Sequence, residues 1–283
     1  MKIESGDISI EVFMESKFAL DGGAMFGVVP KALWNKNTQS DDLNRITLAA
    51  NIVFIRHPEY NLMIEQGLGG KSNEKHREIY KIRQKESQTD FLKERGLNPN
   101  DITHVIFTHL HFDHSGGATE RNSAGKIVPL FPNAKYIVQR EQFDEATNPH
   151  ERNSASFLPE TFMPIYESGQ MEFLDGDGEI LPGIRVVVTG GHARGHQVVE
   201  IDYDNFKAVY IGDLIPTAHH MQLAYIMGYD LYPNETLEFR KKLLPRYVEE
   251  QRFIIFPHED RFFAGVPQYD EEKNRYTISK TLD

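Results

Sequence analysis

The stretch Thr108-His109-Leu110-His111-Phe112-Asp113-His114-Ser115-Gly116-Gly117 holds more possible metal ligands in a few residues than any other part of the chain, and it constrains what can surround it. Ahead of it, residues 102–108 read as a buried strand, rich in β-branched and aromatic side chains and opened by the turn-like Asn98-Pro99-Asn100-Asp101. The cluster therefore sits where a strand ends. In an extended chain His109 and His111 point to the same side, and a tight turn then brings Asp113 and His114 to a neighbouring point. Two metals suit that layout better than one. Gly116 and Gly117 allow a close backbone approach or an unstrained start to the next element.

The same layout recurs downstream. Residues 185–189 form a short apolar run that enters Gly190-Gly191-His192-Ala193-Arg194-Gly195-His196, residues 207–211 lead to Gly212-Asp213, and residues 252–256 lead to Pro257-His258-Glu259. A lone histidine is usually a packed or surface side chain, and Gly-Asp after a strand is usually a turn; their joint occurrence at four strand ends points to a site. The chain has no cysteine, so thiolate ligands, disulfides and a cysteine nucleophile are excluded together. Metal must be held by imidazole and carboxylate, which zinc accepts readily. His109, His111 and His196 are expected to make one site and Asp113, His114 and His258 the other, with Asp213 bridging. Two metals about 3.5–4 Å apart can share a water, lower its pKa and polarise a carbonyl or phosphoryl oxygen. The expected chemistry is hydrolysis by a metal-bridged hydroxide, with Asp113 and Asp213 as the catalytic carboxylates and ligands at once. His192 reads as a donor behind the ligands or as structural, and His57, His76, His104 and His150 as structural.

Elsewhere residues 8–13 alternate like a strand, residues 49–55 and 62–65 form a hairpin across a turn-rich connector, and residues 134–138 and 141–147 read as a strand and a short helix. Residues 72–95 are charged with scattered apolar positions and end at Gly96, as a solvated helical region would. Acidic residues are interleaved with the lysines and arginines there, so a soluble face is expected rather than a basic patch. Residues 20–31 are a glycine-punctuated apolar loop leading to Trp34; composition favours a packed connection, while an exposed-looking Met25-Phe26 pair leaves a substrate lid open. At 283 residues with no internal linker, the whole of 1–283 is expected to form a single domain. A net charge of -11 without a basic run argues against nucleic acid. No secretory signal or long apolar segment is evident, so neither export nor a membrane anchor is expected and the cytoplasm is the expected location.

The motif His109-x-His111-x-Asp113-His114 resembles the signature of the metallo-β-lactamase superfamily, and Gly-His-Ala-Arg-Gly-His at 191–196, Gly-Asp-Leu at 212–214 and Pro-His-Glu at 257–259 follow in that family's order. The resemblance implies an α/β fold, the αβ/βα sandwich of two mixed β-sheets flanked by helices, with a dinuclear site of two divalent ions, zinc first and manganese or iron as alternatives. Residues 20–31 look like the amino-terminal loop of quorum-quenching N-acyl homoserine lactonases, particularly of the Bacillus YtnP type, over nearly the whole chain. That likeness implies ring opening of a small-molecule lactone with an apolar acyl chain contacted by Met25, Phe26 and Tyr225, and it allows a homodimer. One departure stands out: proline occupies position 216, three residues after Asp213, where better-studied lactonases carry tyrosine. Either Tyr225 replaces it or nothing does. Residues 213–222 also look like methyl parathion hydrolase, so a phosphotriesterase is an alternative, as is a thioesterase of the glyoxalase II kind.

Overall fold

The computed structural model describes residues 1–204 and 206–283, which divide into one unit of Met1–Lys17 with Ala50–Gly176 and a second of Phe18–Ala49 with Asp177–Asp283. Strands β1 (Lys2–Ser5), β2 (Ile8–Asp21), β3 (Arg45–His57), β4 (Tyr60–Ile64), β5 (Arg83–Gln84) and β6 (His104–Ile106) come first; β7 (Thr119–Arg121) and β8 (Ile127–Pro129) pair only with each other; β9 (Lys135–Gln139) and β10 (Met171–Leu174) follow. The first sheet runs β1-β2-β3-β4-β6-β9-β10, with β5 beside β2. Its β4, β6, β9 and β10 are parallel neighbours. Parallel strands are covered on both faces, which is why β4, β6 and β9 are almost continuously apolar rather than alternating. Phe54, Phe91, Phe107, Phe131, Tyr136 and Phe162 fill the core of this unit. Each such aromatic contributes about 1.5–3 kcal/mol by leaving water.

In the second unit β11 (Gly178–Leu181), β12 (Ile184–Val188), β13 (Gln197–Tyr203), β14 (Phe206–Tyr210), β15 (Phe253–Ile255), β16 (Ala264–Asp270) and β17 (Arg275–Leu282) form one sheet in sequence order. The pairs β12/β13 and β13/β14 are antiparallel and β14/β15 is parallel, so β12, β14 and β15 run the same way and end on the same edge. Chain direction therefore brings the carboxyl ends of three ligand-bearing strands together. No helix among the described residues is long and apolar enough to cross a membrane.

The helices are α1 (Gly22–Phe26), α2 (Lys31–Trp34), α3 (Glu74–Ile79), α4 (Gln88–Glu94), α5 (Phe112–Ser115), α6 (Arg140–Thr147), α7 (Met163–Glu167) and α8 (Pro233–Glu249). Residues 20–31 are not a continuous loop: Leu20 and Asp21 finish β2, and the Asp21 side chain accepts from the Ala24 N–H to cap α1. The charged region 72–95 is two short helices separated by β5, each capped by a side chain, Asn73 and Ser87. Residues 148–170 form an ordered excursion, with Phe157 and Phe162 buried as its anchors. Helix α8, β13 and the β16–β17 hairpin add to the elements expected from the sequence.

Candidate functional site

In the first unit the six-residue motif leaves β6 through Phe107 and Thr108 and turns into α5, with His111 as the residue before the helix. Ser115 Oγ donates to the His111 carbonyl (3.0 Å), and the Leu110 N–H donates to Gln142 Oε1 (3.1 Å), so side chains fix the turn from both ends. His109 Nε2 and His111 Nδ1 converge to 3.0 Å, the His109 and His114 rings lie 4.0 Å apart, and Asp113 Oδ2 is 3.9 Å from His114 Nε2. All four side chains are buried. Gly116 and Gly117 serve the close approach their type suggested: a Cβ on either would lie 2.2–2.3 Å from the carbonyl oxygen of Leu68 or Gln66.

Those carbonyls belong to the turn after β4, which opens with Glu65. Glu65 is buried, with Oε2 2.8 Å from His114 Nδ1 and Oε1 accepting from the Thr108 N–H. Its φ of 68° is unusual for a side chain with a Cβ, and such strain of about 1–3 kcal/mol persists where surrounding contacts hold it. In the sequence Glu65 reads as the end of a strand; a carboxylate at a parallel strand's carboxyl end, two residues before Gly67, is the signal it carries.

In the second unit Asp213 follows β14 and turns one carboxylate oxygen to each of two imidazoles: Oδ2 is 3.3 Å from His192 Nε2 and Oδ1 is 3.1 Å from His258 Nε2. Each imidazole is held from behind. His192 Nδ1 meets Asp230 Oδ1 at 2.9 Å, with Asp230 Oδ2 accepting from Thr236 Oγ1, and His258 Nδ1 meets the Ala49 carbonyl at 2.8 Å. A carbonyl can only accept, so Nδ1 of His258 carries a proton. Partners of this kind orient metal-binding histidines and raise their basicity.

His196 is placed differently from the sequence expectation. Its Nε2 accepts from the Asp213 backbone N–H (3.0 Å), and its Nδ1 meets Thr189 Oγ1 at 2.6 Å. The single lone pair of the neutral ring is therefore spent on the backbone, and His196 braces Asp213 instead of presenting a ligand nitrogen. Within Gly191-His192-Ala193-Arg194-Gly195-His196 the geometry favours the first histidine. Gly191 makes that possible, because its φ is 68° and a Cβ would meet Thr236 Oγ1 at 2.5 Å.

Met25 and Phe26 are not an exposed pair. Each is 1% exposed, and the residue that projects is Val28, at 93%. Phe26 stacks between Trp34 and His220, with ring centroids at 5.2 and 4.6 Å, and the Met25 carbonyl lies 2.8 Å from His220 Nε2. The packed connection thus describes this segment. Phe26 lines a cavity with His258, and Met25 and Tyr225 are not part of that lining; half-buried Tyr225 stands edge-on to Phe26 at 6.1 Å. His104 bonds its neighbour Thr103, and His76 packs against Phe112, as structural residues do.

The first unit gathers three imidazoles and one carboxylate and the second two imidazoles and one carboxylate, the hard-to-borderline donors that divalent metals take. Residues 45–258 match the family model described as the metallo-beta-lactamase superfamily. An N-acyl homoserine lactonase of Bacillus thuringiensis is 30% identical over 181 residues, 63% of this chain and 64% of the relative, so the chain spans somewhat under two thirds of that protein's length. One from a Bacillus species is 33% identical over 193 residues, 68% of this chain and 69% of the relative. Among solved structures, a probable metal-dependent hydrolase from Staphylococcus aureus is 32% identical with a TM-score of 0.88, covering 99% of this chain and 100% of that one. A dizinc quorum-quenching lactonase in complex with its product shares the fold, at 18% identity and a TM-score of 0.79 over 100% of this chain and 98% of the other. The motif order, the sheets that present it and the match over most of the length agree: this chain belongs to the metallo-β-lactamase superfamily and has its fold.

Proposed function

We propose that this protein is a metal-dependent hydrolase that opens the ring of N-acyl homoserine lactones, and that His109, His111, Asp113, His114, His192, Asp213 and His258 hold two divalent ions, zinc first. The observation that carries this is Asp213, whose two oxygens each face an imidazole braced from behind, the disposition a bridging carboxylate needs. Residues 1–283 are read as one catalytic domain. Two such ions would supply an activated water and polarise the lactone carbonyl. Around them Glu65 and Asp230 hold the Nδ1 atoms of His114 and His192, keeping each Nε2 aimed. Asp113 is read as a ligand whose carboxylate also stands beside the reacting atoms. Sequence kinship with lactonases at 30–33% identity supports the substrate class.

The test is a pH-indicator hydrolysis screen of purified, metal-loaded protein against N-acyl homoserine lactones, thioesters, β-lactams and phosphotriesters. Lactones should give the highest kcat/KM. Turnover of phosphotriesters or thioesters without turnover of lactones would replace the substrate class while leaving the metal-dependent chemistry.

A further inference from the structure

A cavity of about 330 Å³ in the second unit has His258 in its wall, so it borders the proposed metal ligands. Its lining is of two kinds. Phe26, Ile46 and Leu48, all buried, give it an apolar floor. The rest is polar, and His219 and Arg261 carry donors there. Arg261 is anchored: Nε and Nη2 donate to Glu259 at 2.7 and 3.3 Å, and buried Glu259 also accepts from the Ala218 N–H at 3.2 Å. The fork is thus fixed in one orientation, and among the described residues nothing accepts from the two N–H groups on Nη1. His219 is held through its backbone N–H, which donates to Thr217 Oγ1, while its ring makes no hydrogen bond with a described residue. Burial, and then the charge of Arg261, lower the pKa of that ring and favour its neutral form, which has one N–H donor.

An anion does not suit this lining, because Glu259 and Asp260 together outweigh the single guanidinium. A neutral carbonyl oxygen does, since it needs donors only. We propose that the cavity is a subsite for acyl chains bearing a ketone oxygen at the third carbon, with the chain over Phe26 and Leu48 and the oxygen accepting from Arg261 Nη1 and His219. This rests on the lactonase reading and narrows it to 3-oxoacyl substrates. Two hydrogen bonds in a partly desolvated wall favour the ketone by on the order of tenfold.

The experiment compares N-(3-oxohexanoyl) and N-hexanoyl homoserine lactone by kcat/KM, and the two ring-opened acids by calorimetric Kd, on the metal-loaded enzyme and on Arg261→Lys and His219→Phe. Lysine keeps a cation for Glu259 but lacks the planar fork, so this variant should fold. The parent should prefer the ketone about tenfold in both measurements, and each variant should bring the ratio towards one. Lactone turnover with a parental ratio near one, or a ratio that neither variant moves, would overturn the subsite and leave the lactonase. Tighter binding of the 3-oxo acid without lactone turnover would keep the subsite and overturn the lactonase. Equal binding of the two acids without turnover would overturn both.

Discussion

At the scale of single residues, His192 and His196 sit four apart in one glycine-rich loop and differ in what their lone pairs meet. His192→Ala should release about one metal equivalent per chain and abolish most turnover, because in the proposed site it removes a ligand of the ion. His196→Ala should keep more metal yet lower stability by roughly 1–3 kcal/mol, since it leaves the Asp213 N–H buried without an acceptor. Elemental analysis and urea denaturation of both variants check this; equal metal loss from the two would return His196 to the ligand set. Asp113→Ala should likewise lower both metal content and turnover, and full metal occupancy with lost turnover would make it a general acid–base group instead. Sequence could carry the motif, because side-chain identity and spacing are local. It could not choose between two histidines of one loop, because that choice depends on Asp230 and Thr189, 38 residues after His192 and seven before His196.

Among the elements, α8 does more than cover a sheet. Arg240 on this helix is wholly buried and donates to the carbonyls of Leu214 (2.7 Å), His220 (3.2 Å) and Tyr225 (2.7 Å), clamping the segment that follows Asp213. Arg240→Met should cost on the order of 3 kcal/mol and loosen that segment, raising KM more than metal content falls. Denaturation and titration of bound metal would show it; a variant as stable as the parent would contradict the clamp. Phe26→Ala should cost about 3–5 kcal/mol, because the ring fills a stack between Trp34 and His220. The sequence reading missed α8 because Pro233 and Pro245 break the usual helical signature, although proline is well tolerated in a helix's first turn. It placed the ligand-bearing strands because short β-branched runs before Gly-Asp, Gly-His and Pro-His need no long-range information. The length of β2 was not legible, because polar Glu15-Ser16-Lys17 interrupts its apolar run and it ends in a helix cap rather than a turn.

At the scale of the whole molecule, the response to pH has an identifiable source away from the ligands. Burial pushes the Glu15 carboxyl up to about 7, against the Leu68 and Gly69 N–H groups that favour its charge. Between the unfolded value of 4.5 and about 7 the folded state therefore holds a proton that the unfolded state has lost. Stability should fall by roughly 3 kcal/mol as pH rises through that window and be unaffected by this group outside it. Glu15→Gln should gain that much on the parent between pH 5 and pH 8 in paired denaturations; an unchanged difference would place the pH response elsewhere. Fold class and family order were legible because the motif spans the chain, whereas the division into two units reflects contacts that no local stretch encodes. The most direct test of the central claim is the metal content of protein that is actively opening an N-acyl homoserine lactone ring. About two divalent equivalents per chain are expected, with turnover lost on chelation and restored by zinc; a metal-free protein that remains fully active would rule out the dinuclear reaction.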